Sequence, residues 1–340
     1  MAALKFKEVL LAAGRLPQLP FRRTLHLGVA VGLLVSAILY IGLTHWENVF
    51  ARRRSVVLQM GSCRFQLDLG VHLALYPHLQ RYHCRELVSE DAWCRGPWPA
   101  PLLLLAIKSH PASWERRAVL RRTWAQQRPM DGFFLQPVFL VATASEDSLA
   151  QALLQEIQVF SDVLWWDFGE SPRNQSLKER CLLQWVHNHC QGVAYVFKAN
   201  DDIFVNPYEL TQYLKELPRA SDFIHGNLAN EEPVVRTGDA AVPCLLYPLE
   251  HYPPFIAGET ILPGALIPEL YRVSLQLPVF PLDEPYLGFL ALAAGITLRH
   301  EGRFQVRGVA KDEPEAYKEF LTVHGVSMER MEEVWKELWD

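Results

Sequence analysis

The sequence predicts an α/β domain with a mostly parallel sheet covered by helices, carried behind an N-terminal transmembrane helix. Three observations lead there. From about residue 102 onward, strand-length apolar runs alternate with helix-length amphipathic segments; strands apolar along their whole length are buried on both faces, as parallel strands are. The run Tyr195–Val205 breaks into two adjacent acids, Asp201 and Asp202, and then turns apolar again. Finally, Thr24–Trp46 contains no Asp, Glu, Lys or Arg.

In chain order, residues 1–24 read as a cytosolic tail with Lys5, Lys7, Arg15, Arg22 and Arg23 against the single acid Glu8. Residues 25–45 read as a signal-anchor, since about 20 apolar residues span a bilayer. The basic flank puts the N-terminus on the cytosolic side, although Arg52, Arg53 and Arg54 make the asymmetry modest. A cleaved signal peptide is disfavoured by the long basic leader and the lack of a small-x-small cleavage site. A short span suits the thinner membranes of the early secretory pathway. Residues 46–98 read as a lumenal stem of weak periodicity, and 99–340 as the main domain.

Within that domain, Leu102–Ile107 is a buried strand. Ser113 can cap a helix through Trp124, with Glu115 in the first turn, where the dipole favours acids. Val138–Ala142 is the next strand. Ser145 opens a helix with Leu149, Leu153, Ile157 and Phe160 near a 3.6 period. Val163–Trp166, a helix over Leu177–Cys190 and the strand Tyr195–Lys198 follow. The Pro-rich segment Glu232–Pro263 is expected to be irregular, and helical periodicity returns over Ser327–Leu338.

Two carboxylates at the exit of a buried strand are costly unless a cation or polar ligand neutralises them, and ligands of open α/β sheets bind at that edge. A solvated β-turn is the plainer reading. The net charge of −5 leaves no nucleic-acid footprint. Asn174-Gln175-Ser176 is an N-glycosylation acceptor. Of six cysteines, Cys84 and Cys94 flank one loop and suit a disulfide in an oxidising compartment. Cys63, Cys181, Cys190 and Cys244 cannot be paired from sequence, and none of the six has zinc-ligand spacing.

The ordered set Lys108-Ser109, Glu115-Arg116-Arg117, Arg121, Thr123-Trp124, Trp166-Asp167-Phe168, Asn174–Lys178, Leu183–Trp185, Phe197–Asn206, Tyr252–Phe255, Phe280–Glu284, Tyr286-Leu287-Gly288 and Val323-His324 resembles the Golgi β1,3-glycosyltransferases. With Arg81–Arg85 it is most similar to their β1,3-N-acetylglucosaminyltransferase branch, from about Arg81 to the C-terminus. The resemblance implies a GT-A-like, Rossmann-like fold and a UDP-sugar donor. It implies transfer of a sugar, N-acetylglucosamine first, to the 3-hydroxyl of a terminal galactose, with manganese as the cation.

Carried onto this chain, the resemblance makes Asp202 a metal ligand with Asp201 and Asn200 beside it, and lets His324 complete the metal site. Taken alone, His324 reads as a structural histidine. Arg117 and Arg121 lie on one helical face near the first strand end, with Lys108, and suit diphosphate recognition; a solvated basic face is the alternative. Glu284 matches the position of the general base, with Asp283 in reserve, because inversion needs a carboxylate opposite the leaving group.

The chain also departs from that family's pattern. Asn200 replaces an acid of the metal motif, Gly258-Glu259-Thr260 stands where the family has consecutive glycines, and Glu284-Pro285 stands at the base. Pro285 is expected to hold Glu284 extended. A late cysteine near Glu315 is missing, which leaves one cysteine without its usual partner. These changes keep open a second reading, a weak or inactive Golgi homologue that binds and stabilises or activates an active glycosyltransferase.

Overall fold

A computed structural model describes residues 32–40, 55–60, 63–89, 91–217, 222–309 and 312–339. The chain divides into two compact units, residues 1–54 and Ser55–Asp340. In the first, residues 32–40 are helical; the expected tail and most of the expected 25–45 span lie outside the described residues. Among the described residues, no helix is long and apolar enough to cross a membrane.

The second unit begins with an antiparallel hairpin, β1 (Ser55–Met60) and β2 (Cys63–Asp68). Two short helices follow, α1 (Leu69–Leu75) and α2 (Pro77–Arg81), then the edge strand β3 (Glu86–Val88). The expected stem of 46–98 is therefore corrected from Ser55 onward. Phe65 and Leu67 of β2 are buried, and the Phe65 ring packs 5.7 Å from Tyr247 and 5.9 Å from Phe289. Weak periodicity hid this because the hairpin alternates faces over only a few residues.

The central elements run β4 (Leu102–Lys108), α3 (Trp114–Arg122), β5 (Arg128–Met130), β6 (Phe133–Thr143), α4 (Asp147–Val159), β7 (Val163–Gly169), α5 (Gln175–His189) and β8 (Val193–Asn200). After them come β9 (Ile203–Val205), α6 (Pro207–Glu216), β10 (Phe223–Ala229), β11 (Phe255–Pro263), α7 (Ile267–Ser274), α8 (Asp283–Ala294), β12 (Thr297–His300), β13 (Phe304–Gln305), β14 (Thr322–His324) and α9 (Met328–Trp339). The large sheet has the order β12-β10-β11-β8-β4-β6-β7-β3, with β5 on β6. Its centre, β8-β4-β6-β7, is parallel, and antiparallel pairings flank it.

Strand alternation explains why β4 is apolar throughout. Leu102, Leu104 and Ala106 enter one core with Leu182, Leu183, Leu270 and Phe289 of α5, α7 and α8. Leu103, Leu105 and Ile107 enter the other with Leu120, Leu153, Leu210 and Val334 of α3, α4, α6 and α9. The chain leaves β4 toward β6 and β7, then returns to β8 on the other side of β4. That reversal is a topological switch point at the carboxyl ends of β4 and β8, where open sheets bind ligands.

One expected loop is a strand. Within the Pro-rich segment, β11 lies between β8 and β10. Its bounding prolines, Pro254 and Pro263, and its Gly258 obscure it in sequence. Gly226 permits its close approach, since a Cβ there would stand 2.3 Å from Ile256 Cγ2 and 2.6 Å from the Glu259 carbonyl oxygen.

The disulfide expectation is also corrected. Cys84 bonds Cys181, and Cys94 bonds Cys190. Between Cys84 and Cys94 the chain is extended as β3 and paired with β7. The two cysteines are thereby drawn apart and laid along α5, which carries Cys181 and ends at Cys190. Cys244 is free and exposed. Peptide mapping without reduction should recover the 84–181 and 94–190 links, and Cys84→Ser with Cys181→Ser should lower stability by about 2–5 kcal/mol. An 84–94 peptide as the main product would refute this pairing.

Candidate active site

Where β4 and β8 end, Lys108 and Asn200 are register partners. They open onto a cleft of about 610 Å³ lined also by Ser109, His110, Ser113, Arg116, Glu170, Gln175, Lys178, Asp201 and Asp202. Lys108, Asn200, Asp201 and Asp202 thus line one cleft.

The two adjacent acids differ. Asp201 accepts a 2.7 Å hydrogen bond from Ser109 Oγ, and burial pushes its carboxyl above the usual range against that bond. Asp202 is half-exposed beside the cleft, with Oδ2 3.6 Å from His324 Nε2. The small sheet β13-β14-β9 makes this meeting possible, because His324 is the register partner of Ile203, next to Asp202. The Asp202 carbonyl also accepts from Val326 N at 3.0 Å. On the far side of the imidazole, Nδ1 is 3.6 Å from Glu259 Oε1. Glu259 and then Asp202 raise the His324 pKa above its ordinary value.

A carboxylate oxygen with an imidazole nitrogen is a donor set that fits manganese. Among the described residues, no group of three or more His, Cys, Asp or Glu is placed to hold a metal.

Arg117 and Arg121 are corrected: neither lines the cleft. Arg117 is fully buried, forks onto Glu156 at 2.8 and 2.6 Å, and donates to Ser109 Oγ at 2.9 Å and the His110 carbonyl at 2.7 Å. Arg121 donates to both oxygens of Asp162 at 2.8 Å and lies over the Phe160 ring at 4.1 Å. They sit one turn apart on the inner face of α3; Arg117 braces the loop that carries Ser109, while Arg121 ties α3 to Glu156 and Asp162. Arg116, on the adjacent face, reaches the cleft instead. Sequence reasoning passed over it and over Lys178, whose ammonium donates to the Ser109 carbonyl at 3.0 Å and pairs with Glu170 at 2.8 Å. The signal available was the helical period, which puts Arg116 on a different face from Arg117.

Asp283 and Glu284 form the first turn of α8, where acids suit the helix dipole. Pro285 follows in the same turn, so the extended conformation expected for Glu284 does not occur. Proline is tolerated there because first-turn N–H groups have no intrahelical acceptor. Asp283 pairs with Lys108. Burial opposes ionisation of Asp283, yet the Lys108 charge and then Lys198 bring it down to about 2. Glu284 moves the other way, raised by burial and then by the Asp283 charge. Its Oε1 accepts from Gly258 N at 2.8 Å. Gly258 has φ +70°, and a Cβ there would meet Val306 Cγ1 at 3.0 Å, so glycine is required for that contact.

Asn174 precedes α5, with its side-chain amide donating to the Gly169 carbonyl at 2.7 Å, and Ser176 is buried.

Residues 115–302 match the galactosyltransferase family. The chain belongs to that family. Several relatives match across most of this chain. A mouse acetylgalactosaminyl-O-glycosyl-glycoprotein beta-1,3-N-acetylglucosaminyltransferase is 33% identical, covering 76% of this chain and 71% of its own. Mouse UDP-GlcNAc:betaGal beta-1,3-N-acetylglucosaminyltransferase 7 is 30% identical over 77% and 71%. Human N-acetyllactosaminide beta-1,3-N-acetylglucosaminyltransferase 3 is 31% identical over 73% and 72%. A solved WbbM bifunctional glycosyltransferase aligns at 11% identity over 70% of this chain and 50% of that one, with a TM-score of 0.39, too distant to add to the reading.

Because Arg117 is buried on Glu156, Arg117→Met should lower unfolding free energy by about 3 kcal/mol, as breaking a buried pair does. The folded fraction should still bind UDP with wild-type affinity by calorimetry. Lost UDP affinity with unchanged stability would return Arg117 to the binding site.

Proposed function

We propose that this enzyme is an inverting β1,3-glycosyltransferase that moves N-acetylglucosamine from its UDP donor to the 3-hydroxyl of a terminal galactose on a glycoprotein or glycolipid glycan. One observation carries the mechanism: the paired acids at the start of α8 are pushed in opposite directions. Paired groups driven apart in this way mark distinct acid–base roles. Asp283, neutralised by Lys108 and held ionised, is a poor proton acceptor. Glu284, raised by burial and by Asp283, is the better general base, since a base works best with a pKa near operating pH.

Gly258 N–H holds Glu284 Oε1, leaving Oε2 to take the proton of the acceptor hydroxyl as that oxygen attacks the anomeric carbon. The UDP oxygen departs from the opposite face, which inverts the α-linked donor. Arg116 lies where a guanidinium can fork onto a diphosphate. Ser109 and Lys178 line the same cleft. Asp202 and His324 would hold the divalent cation, which neutralises charge on the leaving diphosphate. Asn200 and Asp201 stand beside them at the strand exit.

Two disulfides suit an oxidising compartment. With the charge-free Thr24–Trp46 stretch, this supports a single-pass type II protein of the Golgi membrane whose Ser55–Asp340 unit is lumenal. In sealed vesicles that unit should resist added protease until detergent is supplied; digestion of intact vesicles would reverse the topology.

The catalytic test uses the full chain in detergent with UDP-N-acetylglucosamine and a galactose-terminated acceptor. Glu284→Gln should lower kcat by about 100-fold or more with little change in stability, because glutamine keeps an acceptor for Gly258 N–H. The acid limb of kcat/KM should fall above the ordinary glutamate pKa of about 4.3. The stability sign runs opposite to activity: a raised carboxyl favours the folded state when protonated, so the Glu284 contribution is present at low pH and is lost as pH rises through its folded pKa. If wild type and Glu284→Gln are equally silent while the chain activates a co-purifying homologous transferase, the partner role replaces the catalytic one.

A further inference from the structure

Glu259 is fully buried on β11. An unneutralised buried carboxylate is costly, so its surroundings matter. Its Oε2 accepts from Thr322 Oγ1 at 3.2 Å. Thr322 and His324 are alternate residues of β14 and project to the same side. Accordingly, Glu259 Oε1 lies 3.6 Å from His324 Nδ1, and both atoms are buried without a hydrogen-bond partner. His324 Nε2 in turn faces Asp202 Oδ2 at 3.6 Å. The three side chains form a line from the interior to the cleft.

We propose that Glu259 is a positioning residue whose carboxylate orients the His324 imidazole and fixes its tautomer, so that Nε2 is presented with Asp202 to the cation. This rests on the reading of Asp202 and His324 as cation ligands. The chemistry follows from the imidazole itself. A carboxylate that accepts Nδ1–H leaves the Nε2 lone pair free for a metal, and the partner of one ring nitrogen decides the state of the other. Closing the present 3.6 Å gap needs only a small rotation, and the absence of a competing partner on either atom favours it. The acid at position 259 then supports the cation site from behind, buried away from the donor diphosphate.

The test is calorimetry of manganese with UDP on the full chain in detergent, with UDP alone as reference. Glu259→Gln, which keeps shape and an acceptor for Thr322, should weaken manganese binding by about 10-fold or more, as loss of an outer-shell partner does. UDP binding without manganese should be unchanged. In a His324→Ala background the same substitution should cost nothing further, because its effect passes through the imidazole. Wild-type manganese affinity in Glu259→Gln, or an equal loss in both backgrounds, overturns the positioning role while leaving the cation site intact. Wild-type affinity in both Asp202→Ala and His324→Ala overturns the cation site itself, and the proposal with it.

Discussion

The ion pair between Lys108 and Asp283 is the contact on which the site depends. It joins the end of the central strand to the first turn of α8 across a sequence separation of 175 residues. It keeps Lys108 protonated despite burial and occupies the nearer acid, so that the next residue has a different electrostatic environment. Behind it, Lys198 and Glu179 form a second buried pair at 2.5 Å, continuing alternating charge into the sheet. Removing one member of such a ladder would leave its neighbour uncompensated in a low-dielectric interior. The acid pair therefore acquires its division of labour from the strand end that faces it.

Much of this was legible in the chain. The apolar runs that became β4, β6, β7 and β8 carry their burial in composition alone, because a strand covered on both faces has no polar side. The Asp201-Asp202 break marks the strand exit for the same reason. What escaped notice depended on partners distant in sequence. β11 is flanked by prolines and holds Gly258, so no local rule marks it as a strand, yet its pairing with β8 and β10 makes it part of the main sheet. Arg117 and Arg121 look like ligand-binding residues until Glu156 and Asp162, supplied by α4 and the loop after it, are placed against them. Nothing in the basic residues themselves reveals those acids.

The departures from the expected motif also acquire physical meaning. Asn200 stands beside Lys108 in the β4–β8 register, where an acid would compete with Asp283 for the same ammonium. Pro285 falls in the one turn of a helix where the missing N–H costs no intrahelical bond. Glu259, which would burden a site if it faced the diphosphate, points inward to Thr322 and His324. Each unusual residue sits where its local surroundings accommodate it.

The interlaced disulfides bear on how the chain is made. Cys84 and Cys94 are synthesised well before their partners, which lie 97 and 96 residues further on. At about 5–20 residues per second of synthesis, these two thiols wait on the order of 5–20 s with only Cys63 and each other as possible partners. A bridge between them formed in that interval must be opened by a thiolate before α5 can receive the segment. Any such bridge makes folding of this chain depend on thiol exchange, even when every residue of the cleft is intact.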